Sequence, residues 1–274
     1  MPFLDQWLAA CRRNSSRLCL GLDPEPERLP APWTHETSRL FDFCAALVDA
    51  TADLVCAYKP QIAHFSAVGA EAQLERLIRH IRERAPGVPV ILDAKRGDIG
   101  STARHYAREA FERYGADALT VSPFLGRDSL DPYMEAYPER GLFVLCRTSN
   151  PGSDDLQALA LRDVQQPAER LFERVARLAA GPWNRNGQLG LVTGATRPQD
   201  ILAVRAVAPD LPLLIPGVGA QGGDLEATVR AAGDRFLINA SRSVLYAAPG
   251  GQFAAAARDE ARRLRDTMAE LAPL

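Results

Sequence analysis

The segment Asp93-Ala94-Lys95-Arg96-Gly97-Asp98 sets two carboxylates and an ammonium at the end of an apolar run, Val88-Pro89-Val90-Ile91-Leu92. Alternate side chains of a β-strand share a face, so Asp93 and Lys95 are predicted to point the same way. Asp98 follows three residues after Lys95, where the strand gives way to a loop. Charge at the end of a buried strand is costly unless it is paired or put to use. A structural ion pair would account for Asp93 and Lys95 but not for a second carboxylate so close by. The stretch reads as an active site that works through fixed charges.

Such a site needs a frame. Eight short apolar runs have strand character: Leu18–Leu22, Leu54–Tyr58, Val88–Leu92, Ala118–Ser122, Gly141–Cys146, Leu189–Thr193, Leu211–Ile215 and Arg235–Asn239. Segments of helical periodicity lie between them, such as Leu74, Leu77, Ile78 and Ile81 at spacings of three and four. The alternation predicts a parallel sheet with right-handed crossovers. Eight units in 274 residues suit a closed (β/α)8 TIM barrel, for which about 250 residues is typical. No Gly-x-Gly-x-x-Gly follows the first strand, which argues against a dinucleotide-binding sheet. The expectation is an α/β fold with a single barrel domain over residues 1–274, an N-terminal helix, and an extended connection after strand five. That connection runs from Asn150 to Gln188, with a helix near Gln166–Ala180.

In such a barrel, functional groups gather at the C-terminal strand ends. Strand one ends at Asp23, strand two at Lys59, strand three at Asp93 and Lys95, and strand five at Ser149. Strand seven runs through Pro216 into four glycines within Gly217–Gly223, a stretch that also holds Gln221, and strand eight leads to Ser241 and Arg242. Bland roles exist for several of these. Asp23 precedes a proline and could open a turn, Lys59 could extend to solvent from a strand end, and Ser149 stands beside turn-forming residues. The glycine run needs more explanation, because glycines cost backbone entropy on folding. It suits a loop whose N–H groups approach a ligand closely, and with Arg242 it reads as a phosphate cradle.

Composition narrows the class. A 47% hydrophobic, 24% charged chain with formal net charge −2 is an ordinary globular protein without a basic field for nucleic acid. No run approaches the roughly 20 apolar residues of a membrane span, and the first residues lack a secretory pattern. Five cysteines without a Cys-x-x-Cys pair are expected to pack as small hydrophobes in a reducing, cytoplasmic setting. His35, His64, His80 and His105 form no metal-ligand spacing, so no metal site is expected.

The Asp-x-Lys-x-x-Asp spacing, extended as Asp93 through Ile99-Gly100-Ser101-Thr102, resembles the signature of the orotidine 5′-phosphate decarboxylase family, in its longer-chain bacterial-like branch. The resemblance implies cofactor-free decarboxylation of orotidine 5′-monophosphate to UMP, the last step of UMP synthesis, with Lys95 as proton donor to ring C6. It implies that Lys59, Asp93, Lys95 and Asp98 form a charge network, Asp98 being lent by the second subunit of a homodimer. Asp23 would bind ribose, Ser149 would read the pyrimidine, and Gln221 and Arg242 would clamp the phosphate. Ile99 and Thr102 would reach the neighbouring site. Ser241 stands where some members carry glycine. The alternatives are a Mg²⁺-dependent sister barrel (3-keto-gulonate 6-phosphate decarboxylase or hexulose-phosphate synthase) and a non-catalytic phosphate-ligand sensor. The sisters carry a carboxylate at the position of Lys59, and a decayed enzyme should have lost part of the network. Neither nucleic acid nor membrane is an expected partner.

Overall fold

A computed structural model describes residues 1–161, 168–218 and 222–274. Eight parallel strands form a nearly closed barrel. They are β1 (Leu18–Leu22), β2 (Ala57–Pro60), β3 (Ile91–Arg96), β4 (Ala118–Val121), β5 (Gly141–Arg147), β6 (Leu189–Thr193), β7 (Leu213–Pro216) and β8 (Phe236–Ala240). The hydrogen-bonded order β2-β1-β8-β7-β6-β5-β4-β3 follows the chain around the ring. Its ends meet through isolated bridges, Tyr58 to Val90 and Gln61 to Asp93, with Tyr58 N donating to Pro89 O at 3.0 Å.

These strands read as largely apolar runs because both faces are covered. Outward residues such as Leu18, Leu20 and Leu22 join the layer shared with the surrounding helices. Inward residues form a second cluster with Cys19, Ala57, Ile91, Ala118, Phe143, Val192, Leu214 and Leu237. The N-terminal helix Phe3–Asn14 plugs the bottom of the barrel. Its Phe3, Trp7, Ala10 and Cys11 are buried, on spacings that align one helical face. Phe3 packs edge-on against Phe143, with ring centroids 5.7 Å apart.

Each barrel strand is followed by a helix. Glu71–Arg84 buries Leu74, Leu77, Ile78 and Ile81, as the periodicity predicts. Gly100–Arg108 follows β3 and continues into a wider turn at Glu109–Arg113. No helix among the described residues is long and apolar enough to cross a membrane.

Several boundaries differ from expectation. β2 begins at Ala57, because Leu54 N still bonds Thr51 O at 2.9 Å and closes the preceding helix. Its pairing with β1, from Cys19–Ala57 to Leu22–Pro60, draws Lys59 into the strand. β3 begins at Ile91 and extends to Arg96, four residues beyond Leu92. The connection after β5 contains a short antiparallel pair, Ala160–Leu161 with Glu169–Arg170, and its helix begins at Leu171. Gln166, where the helix was expected to start, lies outside the described residues.

Candidate active site

Charge at the barrel mouth is organised around Asp93, the first polar side chain of β3 and 7% exposed. Each of its oxygens takes one ammonium: Lys59 Nζ lies 2.7 Å from Oδ2, and Lys95 Nζ lies 2.7 Å from Oδ1. Lys59 is itself buried, and its Nζ stands 4.0 Å from Asp23 Oδ1. The result is an alternating series, Asp23–Lys59–Asp93–Lys95, that runs from β1 through β2 to β3. Burial alone would raise the Asp93 carboxyl pKa, but Lys59 and Lys95 outweigh it and hold that pKa well below the ordinary aspartate value. Burial alone would lower the Lys59 pKa, and Asp93 and then Asp23 outweigh it and hold the ammonium above the ordinary lysine value. Two cations around one carboxylate thus offset a desolvation cost that a lone buried charge could not bear.

Lys95 reaches Asp93 by a route that strand alternation does not describe. Its φ is +47°, in the left-handed region, which costs an L-residue about 1–2 kcal/mol. The β3–β4 register shifts between Leu92 and Arg96. The side chain comes round to Asp93 through this irregularity and is left half-exposed.

A pocket of about 510 Å³ opens above these charges. It is lined by Asp23, Lys59, Asp93, Lys95, Ser149, Pro216, Ser241 and Arg242, so the structure brings together eight of the residues singled out from strand ends. Ser241 Oγ donates to Asp23 Oδ2 at 2.7 Å, which leaves Asp23 Oδ1 buried without a hydrogen bond among the described residues. Gly21 makes this contact possible, since a Cβ there would fall 1.9 Å from Ser241 Oγ. Gly223 N bonds Gly217 O at 3.1 Å, which brings the two ends of the glycine stretch after β7 together. A Cβ on Gly223 would sit 2.6 Å from that same oxygen. Gln221 lies outside the described residues.

Asp98, Ile99 and Thr102 do not line the pocket of their own chain. Asp98 accepts the N–H of Ile99 at 2.8 Å, and Ile99 and Thr102 face solvent. His64 binds Pro24 O through Nδ1 at 3.1 Å and also stays outside. Arg147 is buried behind the pocket wall, bonded to Asp200 at 2.8 Å and to Ser153 at 2.8 Å. Both acidic side chains that line the pocket, Asp23 and Asp93, face Lys59. Among the described residues no three His, Cys, Asp or Glu side chains are grouped to hold a metal ion.

Sequence reasoning missed several pocket residues. Thr120 on β4 donates to Asp93 Oδ1 at 2.8 Å, and Asn239 on β8 donates to Ser241 Oγ at 3.3 Å. Leu145, Val192 and Leu214 give the pocket an apolar floor. Thr120 and Asn239 are single polar residues inside apolar strands, and that interruption is the signal that could have found them.

Comparison with known proteins gives a consistent result. Residues 16–257 match the model of the orotidine 5′-phosphate decarboxylase / HUMPS family. A protein of Delftia acidovorans named orotidine 5′-phosphate decarboxylase is 63% identical, with 99% of each chain covered. One of the same name from Paracidovorax citrulli is 63% identical over 98% of each chain. The solved OMP decarboxylase of Leishmania donovani superposes with a TM-score of 0.83 at 41% identity, covering 99% of this chain and 98% of that one.

The charge series makes a prediction about pH. The folded pKa of Asp93 lies below that of an unfolded aspartate, about 3.9. Its contribution to stability is therefore present above that value and is lost as pH falls through the folded value. Lys59 has the opposite sense: held above about 10.4, its contribution is complete below that value and lost as pH rises through the folded value. In an NMR titration of the Asp93 carboxyl carbon, the inflection is expected below the ordinary aspartate value of about 3.9. In Lys59→Met, which removes one of the two cations, the inflection should move upward. A wild-type inflection at the ordinary aspartate value would contradict the series.

Proposed function

The chain belongs to the orotidine 5′-phosphate decarboxylase / HUMPS family, and from that premise we propose that it converts orotidine 5′-monophosphate to UMP and carbon dioxide without metal or cofactor. The observation that carries this reading is the buried Lys59 ammonium 2.7 Å from Asp93. A Mg²⁺-dependent sister enzyme would need a carboxylate at that place, because a hard cation is held by oxygen ligands. A sensor would have no use for a complete network.

The chemical difficulty is an electron pair left on ring C6 with no attached sink. In the proposed reaction the bond from C6 to the carboxylate breaks, the pair remains on C6, and carbon dioxide leaves. Lys95 Nζ then transfers a proton to C6 and regains one from solvent. Its positive charge stabilises the developing carbanion before the transfer. Asp93 would lie beside the substrate carboxylate and keep Lys95 aimed. Lys59, with Asp23 and Ser241, would take the ribose hydroxyls, and the unbonded Asp23 Oδ1 is available to accept one. Ser149 would read the pyrimidine edge and Pro216 would pack against the ring. The glycine loop, Gln221 and Arg242 would hold the phosphate. Binding energy from that remote group can assemble the network around the reacting carbon.

We further infer a homodimer with shared sites. Ile99, next to Asp98, and Phe124 and Leu125 leave apolar side chains 55%, 79% and 46% exposed on the segments after β3 and β4. A two-fold contact there would cover them and carry Asp98, Ile99 and Thr102 to the partner's pocket. Five buried free cysteines fit a reducing cytoplasm.

Purified protein should release UMP from orotidine 5′-monophosphate at the same rate before and after exhaustive EDTA treatment. Loss on chelation with rescue by Mg²⁺ would move the chain to the sister branch. Shared sites are tested by mixing. Lys95→Ala and Asp98→Ala dimers should each be nearly inactive, and verified exchange of the two at equal amounts should return roughly a quarter of wild-type activity, since half the dimers carry one intact site of two. No recovery would place Asp98 in its own chain's site or in none.

A further inference from the structure

We propose that Thr120 is the positioning residue that sets the proton donor, holding the backbone of Lys95 in its left-handed conformation while fixing the carboxylate that aims the side chain. Thr120 sits on β4, is 2% exposed, and reaches across the β3–β4 seam at the place where the register breaks. Its hydroxyl is fully used. The single proton goes to Asp93 Oδ1 at 2.8 Å, and the oxygen accepts the N–H groups of Ala94 at 3.1 Å and Lys95 at 3.0 Å. One donor and two acceptor sites are all that a hydroxyl has.

These three bonds tie together what the chemistry must keep in register. Ala94 and Lys95 fall within the register shift, where the regular β3–β4 ladder does not hold their N–H groups. Beyond it the strands rejoin, with Ser122 N bonding Arg96 O at 2.7 Å. Thr120 Oγ1 replaces the missing partner at the point where Lys95 takes φ +47°. A non-glycine residue stays in that region when its surroundings over-determine it. Asp93 Oδ1 is also the oxygen that receives Lys95 Nζ at 2.7 Å. One hydroxyl thus fixes both ends of the donor: the backbone from which Lys95 departs and the carboxylate at which its ammonium arrives.

This inference rests on the decarboxylase reading, so the test has two independent readouts. The first needs no reaction. In a crystal structure of Thr120→Val, which keeps the shape and removes the hydroxyl, Lys95 should leave the left-handed region. In Thr120→Ser it should stay. A Lys95 unchanged in the valine variant overturns the proposal.

The second readout is kinetic. Groups proposed to bind ribose, base and phosphate stand on other strands, so Thr120→Val should bind UMP as the wild type does. Its kcat for orotidine 5′-monophosphate should fall by roughly 10²-fold, the scale of a misplaced reacting group. Thr120→Ser should restore most of that loss. Equal losses of UMP binding and kcat would mark a general structural role, and a valine variant within about twofold of wild-type kcat would remove Thr120 from the mechanism. A serine variant as slow as the valine one would show that the hydroxyl is not the cause. Wild-type protein inactive on this substrate would sink the decarboxylase reading, while the crystal comparison would still decide what holds Lys95.

Discussion

A carboxylate buried between two ammoniums is the constraint on which the rest of this structure depends. Asp93 can be 7% exposed and charged because Lys59 and Lys95 each stand 2.7 Å from one of its oxygens. Removing either partner of such a group leaves a desolvated charge behind, which is far costlier than the pair itself. The three residues come from two adjacent strands, with a third strand adding Asp23. Their spacing is therefore set by strand register, which is among the stiffest features a fold offers.

The barrel separates stability from chemistry along its axis. At the N-terminal end the helix Phe3–Asn14 and the inward side chains of the strands form a dry plug. Leu145, Val192 and Leu214 continue that apolar interior up to the pocket floor. The polar groups of the pocket gather toward the C-terminal ends of the strands and the loops that follow them, away from the plug. The apolar floor also keeps water from the underside of the charge series, and fixed charges act more strongly in a low dielectric.

Much of this was legible in the sequence, for physical reasons that differ from residue to residue. Barrel strands declare themselves as continuous apolar runs because both faces are covered. The strand ends at Asp23, Lys59, Asp93, Ser149 and Arg242 stand out because charge and polarity break those runs, and all five line one pocket. Lys95 was placed beside Asp93 by the two-residue period of a strand, yet it arrives there through a left-handed residue at a register break. That geometry depends on a hydroxyl from β4, a neighbour in space and not in sequence. The pair Ala160–Leu161 and Glu169–Arg170 is too short for any period to show. Arg147 looks like a strand-end cation, and only the positions of Asp200 and Ser153 reveal that it serves the wall behind the pocket. Asp98, Ile99 and Thr102 have no place in their own chain's pocket, and a single sequence does not say which copy of the chain a loop faces.

The central claim is that Lys95, at the end of β3, does the chemistry while binding is carried by other strands. Its most direct test is Lys95→Ala, measured for turnover of orotidine 5′-monophosphate and, separately, for UMP binding. The account predicts that turnover is almost abolished while UMP still binds, because Asp23, Ser149, Pro216 and Arg242 remain in place. A variant that retains substantial turnover would contradict it and remove Lys95 as the proton donor.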